Sequence, residues 1–580
     1  MPSFRRHPVT AFKLFSAAFI ICFYLIYASF RDYFSPPPKI DRIEIASLQY
    51  EGWRGGGKAD LGKAGIIRDA MRKAFASYQD RAWGKDEIRP ISGGNVNNHN
   101  GWGAFLVEST STLALMGLWD ELREAVRYII DKVDFTKTDE LVDPSETIRR
   151  YLGAILSLVD MSDAGLISPE VIAHDDRNKL LGQAYTLAFK LRPSFDTNTG
   201  LPWPRVDFDT SVGTSLFTPK DGNPEEENIV TIPLSSASAP LLESRVLSRL
   251  TNDASYLEDA TYAIVPLLWP SYNLSALPNH PDGLFPSPLN IDTSHPTAQG
   301  YSWDTNHLPF YTALLKSLLL SPHSRHAPTY RTTWLSATHA LRWNLTSRSA
   351  ASPTHATSHL YLSQRSGPHL LNEASHTSCA APASLLLGGA ALSRPDLIGL
   401  GQALLEGCHH VHASSPSGLA PDRWSWTPAG SERGDPAFEP STKRAARQWE
   451  LRAWWAVEER GGLRAGYVES LFVAWRVTGQ ARYRQWAWEA WEAVRARQEA
   501  RYGFAALKDV MRGKATSSEL GVVEQAMKQA GVELVDEQET EWMSRTLKFL
   551  WLLFGDVKVA DLDMWVISEG GHLFRRTEPG

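Results

Sequence analysis

Ser145-Glu146-Thr147-Ile148-Arg149-Arg150-Tyr151-Leu152-Gly153 and Leu463-Arg464-Ala465-Gly466-Tyr467-Val468-Glu469-Ser470-Leu471-Phe472 decide how this chain folds. Each sets charged side chains at the head of a run whose apolar residues return every three or four positions, the pattern of a helix with one face in a core. The second run leads directly to Val477-Thr478-Gly479. Glu146 and Arg150 stand four apart, so on a helix they share a face, and by spacing alone they fit an ordinary ion pair.

The same spacing predicts helices over Ala64–Tyr78, Ala104–Met116, Trp119–Val133, Glu146–Val159, Lys179–Leu191, Ser235–Leu250, Pro309–Leu320, Tyr467–Val477, Tyr483–Arg497 and Glu539–Phe554. Strand-like alternation is scarce, and no fixed repeat period of the tetratricopeptide or ankyrin kind appears. Paired helices with Pro/Gly-containing connections predict an all-α toroid or solenoid. Ser347 to Ser378 and Leu419 to Arg444 read as irregular connections inside one domain.

A chain of 580 residues with 43% hydrophobic and 21% charged residues has globular composition. A net charge of −6 without a basic block beyond the N-terminus argues against nucleic-acid binding. The 21 Trp and 18 Tyr suit a sugar-binding cleft, but a large helical core takes most of them.

Leu14 to Phe30 is an uncharged, mostly apolar run behind Arg5, Arg6 and Lys13. It is short but long enough to span a bilayer and reads as an uncleaved signal anchor, with a cleaved signal peptide as the other reading. The basic flank places the N-terminus in the cytoplasm and the rest in the secretory lumen. The expected organisation is a cytoplasmic tail (1–13), a transmembrane anchor (14–30), a stem that includes Pro36-Pro37-Pro38 (31–60) and a luminal domain (61–580). The type II topology fits the endoplasmic reticulum or the Golgi. Of three cysteines Cys22 lies in the apolar run, leaving Cys379 and Cys408, which in an oxidising lumen read as a disulfide. Asn273-Leu274-Ser275 and Asn344-Leu345-Thr346 are glycosylation sequons.

From Tyr78 onward the ordered motifs resemble the class I α-1,2-mannosidases, family 47 of the glycoside hydrolases. The two opening lines match, as do Ala82-Trp83-Gly84-Lys85-Asp86-Glu87, Gly103 to Leu118, His376-Thr377-Ser378-Cys379, Ser417 to Asp422, Thr546-Leu547-Lys548 and Trp565 to His572. The resemblance implies an (αα)7 barrel with a C-terminal hairpin plugging one end, high-mannose N-glycans as ligand, removal of terminal α-1,2-linked mannose with inversion, a Ca²⁺ cofactor, and Cys408 as the partner of Cys379. Inverting glycosidases need an acid and a base about 6.5–9.5 Å apart, with room for a water. Ca²⁺ wants roughly six to eight oxygens.

Residue by residue, Glu146 matches the general acid. Arg150, His376, Arg464 and Glu569 match substrate-site positions, Glu108 and Asp422 stand at two more in place of an Asp and a Glu, and Ser568 stands for the Thr that holds the metal. The chain departs from the family pattern at three carboxylates: Gly466 replaces the base, Leu308 aligns with a catalytic Asp, and Arg545 replaces a Glu, with Glu541 in place of a Phe one turn earlier. Asp304 and Glu469 remain as carboxylates that could serve in catalysis. The implied alternative to an enzyme is a lectin-like protein that binds glycans or glycoprotein clients without cutting them.

Two other signals point elsewhere. Gly52-Trp53-Arg54-Gly55-Gly56-Gly57-Lys58 nearly spells a P-loop but lacks the hydroxyl and the preceding strand, and reads as flexible stem. His409-His410-Val411-His412 suggests a metal, yet only Cys408 could complete it and that cysteine has a better partner, so a helical surface is expected.

Overall fold

The computed structural model describes residues 43–56, 58–215, 229–269, 272, 274–431, 439–512 and 533–576. The chain divides into units Met1–Ile43 and Glu44–Gly580, and everything below concerns the second. The anchor expected at Leu14–Phe30 lies outside the described residues, among which no helix is long and apolar enough to cross a membrane.

Among the described residues fourteen helices that build the barrel alternate along the chain, beside the shorter Leu234–Ser238 and Lys443–Arg452 in the connections: α1 Leu61–Arg81, α2 Ala104–Met116, α3 Trp119–Asp131, and α4, which runs from Pro144–Thr147 through a π turn at Ile148–Leu152 into Gly153–Asp163. Then follow α5 His174–Leu191, α6 Leu241–Thr251, α7 Ser255–Ile264, α8 Leu308–Leu320, α9 Ala327–Asn344 and α10 Ala381–Ala391. The last are α11 Pro395–Ser414, α12 Gly466–Thr478, α13 Arg482–Gln498, and α14, a π turn at Trp542–Thr546 continued by Leu547–Phe554.

The even-numbered helices are buried along most of their length, each touches the next, and α14 returns to α2, so seven helices close a ring. Each odd-numbered helix packs outside, α1 on α14 and α3 to α13 on the helix before it. This is the expected (αα)7 barrel. The inner helices are apolar on nearly every face because they are wrapped on every side. That is why α10, Ala-Pro-Ala-Ser-Leu-Leu-Leu-Gly-Gly-Ala-Ala, carries no periodicity and escapes sequence reading. Ser235–Leu250 is two helices rather than one, Leu234–Ser238 and α6, parted at Pro240, whose ring cannot sit inside a continuous helix.

Inner-to-outer connections are short, and outer-to-inner ones are long, so the long segments gather where the inner helices begin. They carry the strands missed in the sequence. Ser347 to Ser378 is not irregular: Gln364–Ser366 and His369–Leu371 join Pro296–Tyr301, Ser287–Asn290 and Thr231–Ile232 in a five-stranded antiparallel sheet. Glu373–Ser375 pairs with Arg423–Ser425, in the other supposed loop, which pairs with Trp455–Glu458. The C-terminal hairpin, Trp565–Ile567 with Leu573–Arg575, packs on α4 and α8 inside the ring. Leu573 and Arg575 donate backbone N–H bonds to Ser157 and Asp160 of α4. The plug is therefore present.

Of the stretch read as stem (31–60), the described residues 44–56 and 58–60 pack on the barrel. Trp53 is buried against Trp475 with ring centroids 4.4 Å apart, and the Tyr50 N–H bonds the Arg476 carbonyl at 2.8 Å. The tryptophans mostly build core: Trp303, Trp334, Trp424, Trp426, Trp454, Trp491 and Trp542 are fully buried.

Candidate functional site

Inner helices α4, α6 and α8 and the hairpin tip line a cleft of about 220 Å³, with Ser145, Glu146 and Arg149 from α4, Glu243 from α6, Thr312 and Lys316 from α8, and Glu569 from the hairpin. Ser235, Ser236, Thr305 and Asn306 add hydroxyl and amide groups. A neighbouring hollow of about 390 Å³ is lined by His99, Arg150, Arg464, Glu539, Thr540 and Glu541. Among the described residues neither is lined by Phe, Tyr or Trp, so the side chains there offer hydrogen bonds rather than stacking faces.

Asp143 caps α4 by accepting from the Glu146 N–H at 3.0 Å, which fixes Glu146 in the first turn. The Glu146 side chain is 41% exposed and lies 3.6 Å from Arg149, 3.7 Å from Arg150 and 3.7 Å from His99. Burial pushes its carboxyl up, but Arg150, Arg149 and His99 together outweigh burial and hold it below the usual range. A general acid needs the opposite shift. Arg150 is not simply the surface partner that spacing suggests. It reaches down to Glu108 at 3.1 Å and Thr540 at 2.6 Å. His99, absent from the sequence reading, is set by buried Asp86, which accepts the backbone N–H groups of Asn98, His99, Gly101, Gly103 and Ala104.

The barrel floor is cationic. Arg545, in the π turn of α14, donates to Glu469 of α12 and, at 2.9 Å, to Glu541 one turn earlier. Its side chain is 14% exposed and Glu469's is 10%. Lys316 stands 3.8 Å from Glu469. Lys548 is fully buried, donating to Ser111 at 2.8 Å and to the Gly571 carbonyl, and burial followed by repulsion from Arg545 pulls it down to about 7. Glu243 is buried, and desolvation pushes it up to about 8, so near neutral pH it is largely a protonated acid facing the cleft. Lys316 and Glu243 were not singled out in the sequence, because a lone charge in an apolar helix reads there as a solvated face.

This floor does not fit Ca²⁺. Glu469 and Glu541 are already paired with a guanidinium, which a cation would have to displace. The Ser568 carbonyl accepts from Gly571 N–H at 3.1 Å and its hydroxyl from His572 N–H at 3.3 Å, so both expected ligand atoms serve the hairpin turn. Glu569 lines the cleft, whose wall also carries the cations Arg149 and Lys316.

On the opposite wall, Gly466 opens α12 with no carboxylate. A Cβ there would lie 3.2 Å from both the His376 carbonyl and the Ala380 nitrogen, so the turn His376–Ala380 has closed onto the space. Leu308 is buried at the start of α8. Asp304 stands before that helix, where it accepts hydrogen bonds from Thr305 N–H at 2.7 Å, the Ser375 hydroxyl at 2.7 Å and the Thr377 hydroxyl. It organises the loop and is not among the residues lining the cleft. His376 is buried with its Nδ1 unpartnered, and its backbone N–H bonds the Asp422 carbonyl at 2.9 Å. Asp422 accepts from Gly462 N–H at 3.2 Å, and Arg464 pairs with Glu539 at 3.4 Å. The structure thus brings Glu146, Arg150 and Glu108 together on one side, Glu469 with Arg545 on the floor, and His376, Asp422 and Arg464 on the other.

Cys379 and Cys408 form a disulfide with Cα atoms 6.0 Å apart. Asn344 ends α9 with its amide engaged at both atoms, donating to Ala340 and accepting from Arg365. Asn273 lies outside the described residues.

Known proteins agree with this architecture. The profile of Glycosyl hydrolase family 47 matches residues 70–576. The chain is 28% identical over 517 residues to a mannosyl-oligosaccharide alpha-1,2-mannosidase of Penicillium citrinum, covering 89% of this chain and 90% of the relative. It is 30% identical over 511 residues to mannosyl-oligosaccharide alpha-1,2-mannosidase 1B of Aspergillus oryzae, covering 88% and 89%. The solved alpha-1,2-mannosidase of Trichoderma reesei superposes with a TM-score of 0.78 at 23% identity, covering 90% of this chain and all of that one, and so shares the fold. With a profile match spanning most of its length and a closed ring of seven helix pairs, this chain belongs to glycosyl hydrolase family 47.

Proposed function

We propose that this protein recognises high-mannose N-glycans in the cleft above the inner-helix N-termini and hydrolyses α-1,2-mannosidic bonds far more slowly than a competent family member. The observation that carries the reading is Arg545, bonded to Glu469 and Glu541 on the floor. It supplies a built-in cation where the family resemblance implies Ca²⁺. Gly466 meanwhile removes the group that would activate water, and a positioned base is typically worth about 10²–10⁴ in rate. The cleft keeps what sugar recognition needs: hydroxyls, an amide and charged groups that can bond several sugar hydroxyls. The disulfide and the apolar run at Leu14–Phe30 support a luminal, membrane-anchored setting in the secretory pathway.

One observation favours a second reading, residual inverting hydrolysis with Glu146 as acid. The Glu541 carboxylate accepts the Ala465 N–H at 3.2 Å, which sets a carboxylate beside Gly466, where the chain itself carries none.

The binding reading is tested by calorimetric titration of the full-length protein with a nine-mannose N-glycan, with and without a calcium chelator. Saturable binding that the chelator leaves within about twofold, and that Ser236→Trp abolishes by filling the cleft, is the expected result. Binding lost on chelation, or unchanged in Ser236→Trp, contradicts it.

A further inference from the structure

The histidine run at 409–412 is not a helical surface. His410 and His412 are buried on α11, and His410 meets two histidines that the sequence places fifty or so residues earlier. His355 and His359 lie on the segment between Thr346–Arg348 and Leu360–Leu362, strands that pair antiparallel. That segment can rest on α11 because Gly407 has no side chain: a Cβ there would come within 2.2 Å of the Leu360 carbonyl.

One ring nitrogen of each of His355, His359 and His410 lies within 4.8 Å of one on each of the others. The Nε2 atoms of His355 and His359 are 3.1 Å apart. Two imidazoles on a tetrahedral zinc ion, with Zn–N of about 2.0–2.1 Å, hold their nitrogens ~3.3 Å apart. His410 is 8% exposed, and its Nε2 has no hydrogen-bond partner. An orphaned buried nitrogen is uncommon and calls for a ligand. Its other nitrogen, Nδ1, is 2.8 Å from the Tyr361 hydroxyl. If Nδ1–H donates to that oxygen, the Nε2 lone pair is left free, the arrangement by which an outer hydrogen bond fixes the tautomer of a metal-binding histidine.

We propose that His355, His359 and His410 bind a divalent transition-metal ion of the zinc class, clipping the 349–359 segment to α11. Three imidazoles leave at least one coordination position to water. His359 lies flat on His410, with centroids 3.9 Å apart and planes within 4°, whereas lone pairs lie in the ring plane. Binding therefore turns the half-buried rings of His355 and His359 on their segment while His410 stays fixed by Tyr361. Burial first, and the neighbouring histidines second, push His410 down to about 2; burial, His355 and Arg348 push His359 down to about 4. Both are thus neutral and able to ligate at physiological pH. His409 and His412 are committed elsewhere: the first sits against Trp486 and bonds the Tyr467 hydroxyl, and the second lies on Tyr467 and accepts from Ala420 N–H.

The test is Co²⁺ titration of the untagged full-length protein, stripped of metal, followed by visible absorption and then by competition with Zn²⁺. The expected result is one saturable equivalent with the intense bands of a low-coordinate cobalt ion, displaced by Zn²⁺. His410→Ala and His355→Ala should abolish it, and Tyr361→Phe should weaken it by about 10–100-fold. His355 sits on a surface segment, so that variant retains the fold, which far-UV circular dichroism checks. Absence of saturable binding, or binding unchanged in both histidine variants, overturns the proposal.

Discussion

The guanidinium of Arg545 is hydrogen-bonded to the carboxylate of Glu469 on the adjoining inner helix, and it bonds Glu541 with its other arm. A charge this buried persists only because its partners stay ionised; burial works against the cation, and Glu469 and Glu541 more than compensate. Removing the cation alone leaves buried Glu469 with only the more distant Lys316, and half-buried Glu541 with only the Ala465 N–H. Arg545→Met should therefore cost about 3–5 kcal/mol of stability, measured by urea unfolding. A loss below about 1 kcal/mol would mean that the trio is better solvated than it appears.

The same arrangement predicts indifference to calcium. Adding a chelator should leave the melting temperature of the wild-type protein unchanged. Arg545→Glu should behave oppositely: less stable alone, because like carboxylates crowd the floor, and stabilised when Ca²⁺ is added. A clear chelator-induced drop in the wild type would show that the floor binds a cation despite Arg545.

Glu243 gives a pH signature. Its carboxyl is raised from 4.5 to about 8, so between those values the folded chain holds a proton that the unfolded chain has released. Stability from this group is full below about 4.5 and falls as pH rises towards 8, by at most ~1.4 kcal/mol per unit. Lys548 acts in another window. It is lowered from 10.5 to about 7, so the unfolded chain binds more protons between those values and stability rises with pH there. Glu243→Gln mimics the protonated acid and should flatten the decline between pH 5 and pH 7, seen as a melting temperature that falls less than in the wild type. Parallel curves for the two proteins would contradict the assignment.

The Cys379–Cys408 disulfide closes a loop of 29 residues between the turn preceding α10 and α11. Chain entropy assigns such a loop about 3–4 kcal/mol. Cys408→Ser should lose stability of that order in denaturant titration, and reductant should lower wild type to the same level. Equal midpoints for oxidised and reduced protein would sink the prediction.

Much of the barrel was legible because amphipathic helices such as Trp119–Asp131 advertise one buried face. Of the helices that failed to register, α10 is buried on every side and has no polar stripe to set a period, whereas α7, α9 and α11 pack outside the ring and keep exposed faces. The short strands of the long connections were hidden for another reason: they run two to six residues, too few for alternation to show. At the site, Gly466, Leu308 and Arg545 were legible as departures from a motif. Their consequences were not. That the turn carrying His376 closes against Gly466, and that Glu541 becomes a second partner of Arg545, depends on segments far apart in sequence. His410 was misplaced at the surface because its two imidazole neighbours lie on a distant segment.

We propose a cleft that binds high-mannose glycan but no longer cuts it efficiently. It is tested most directly by incubating full-length protein with a nine-mannose N-glycan and measuring released mannose, beside Glu146→Gln and Gly466→Glu variants. The expected result is negligible release by the wild type, none by Glu146→Gln, and no recovery in Gly466→Glu, whose new side chain meets the His376–Ala380 turn while Arg545 still holds the floor. Robust release by the wild type, abolished by Glu146→Gln, would contradict it.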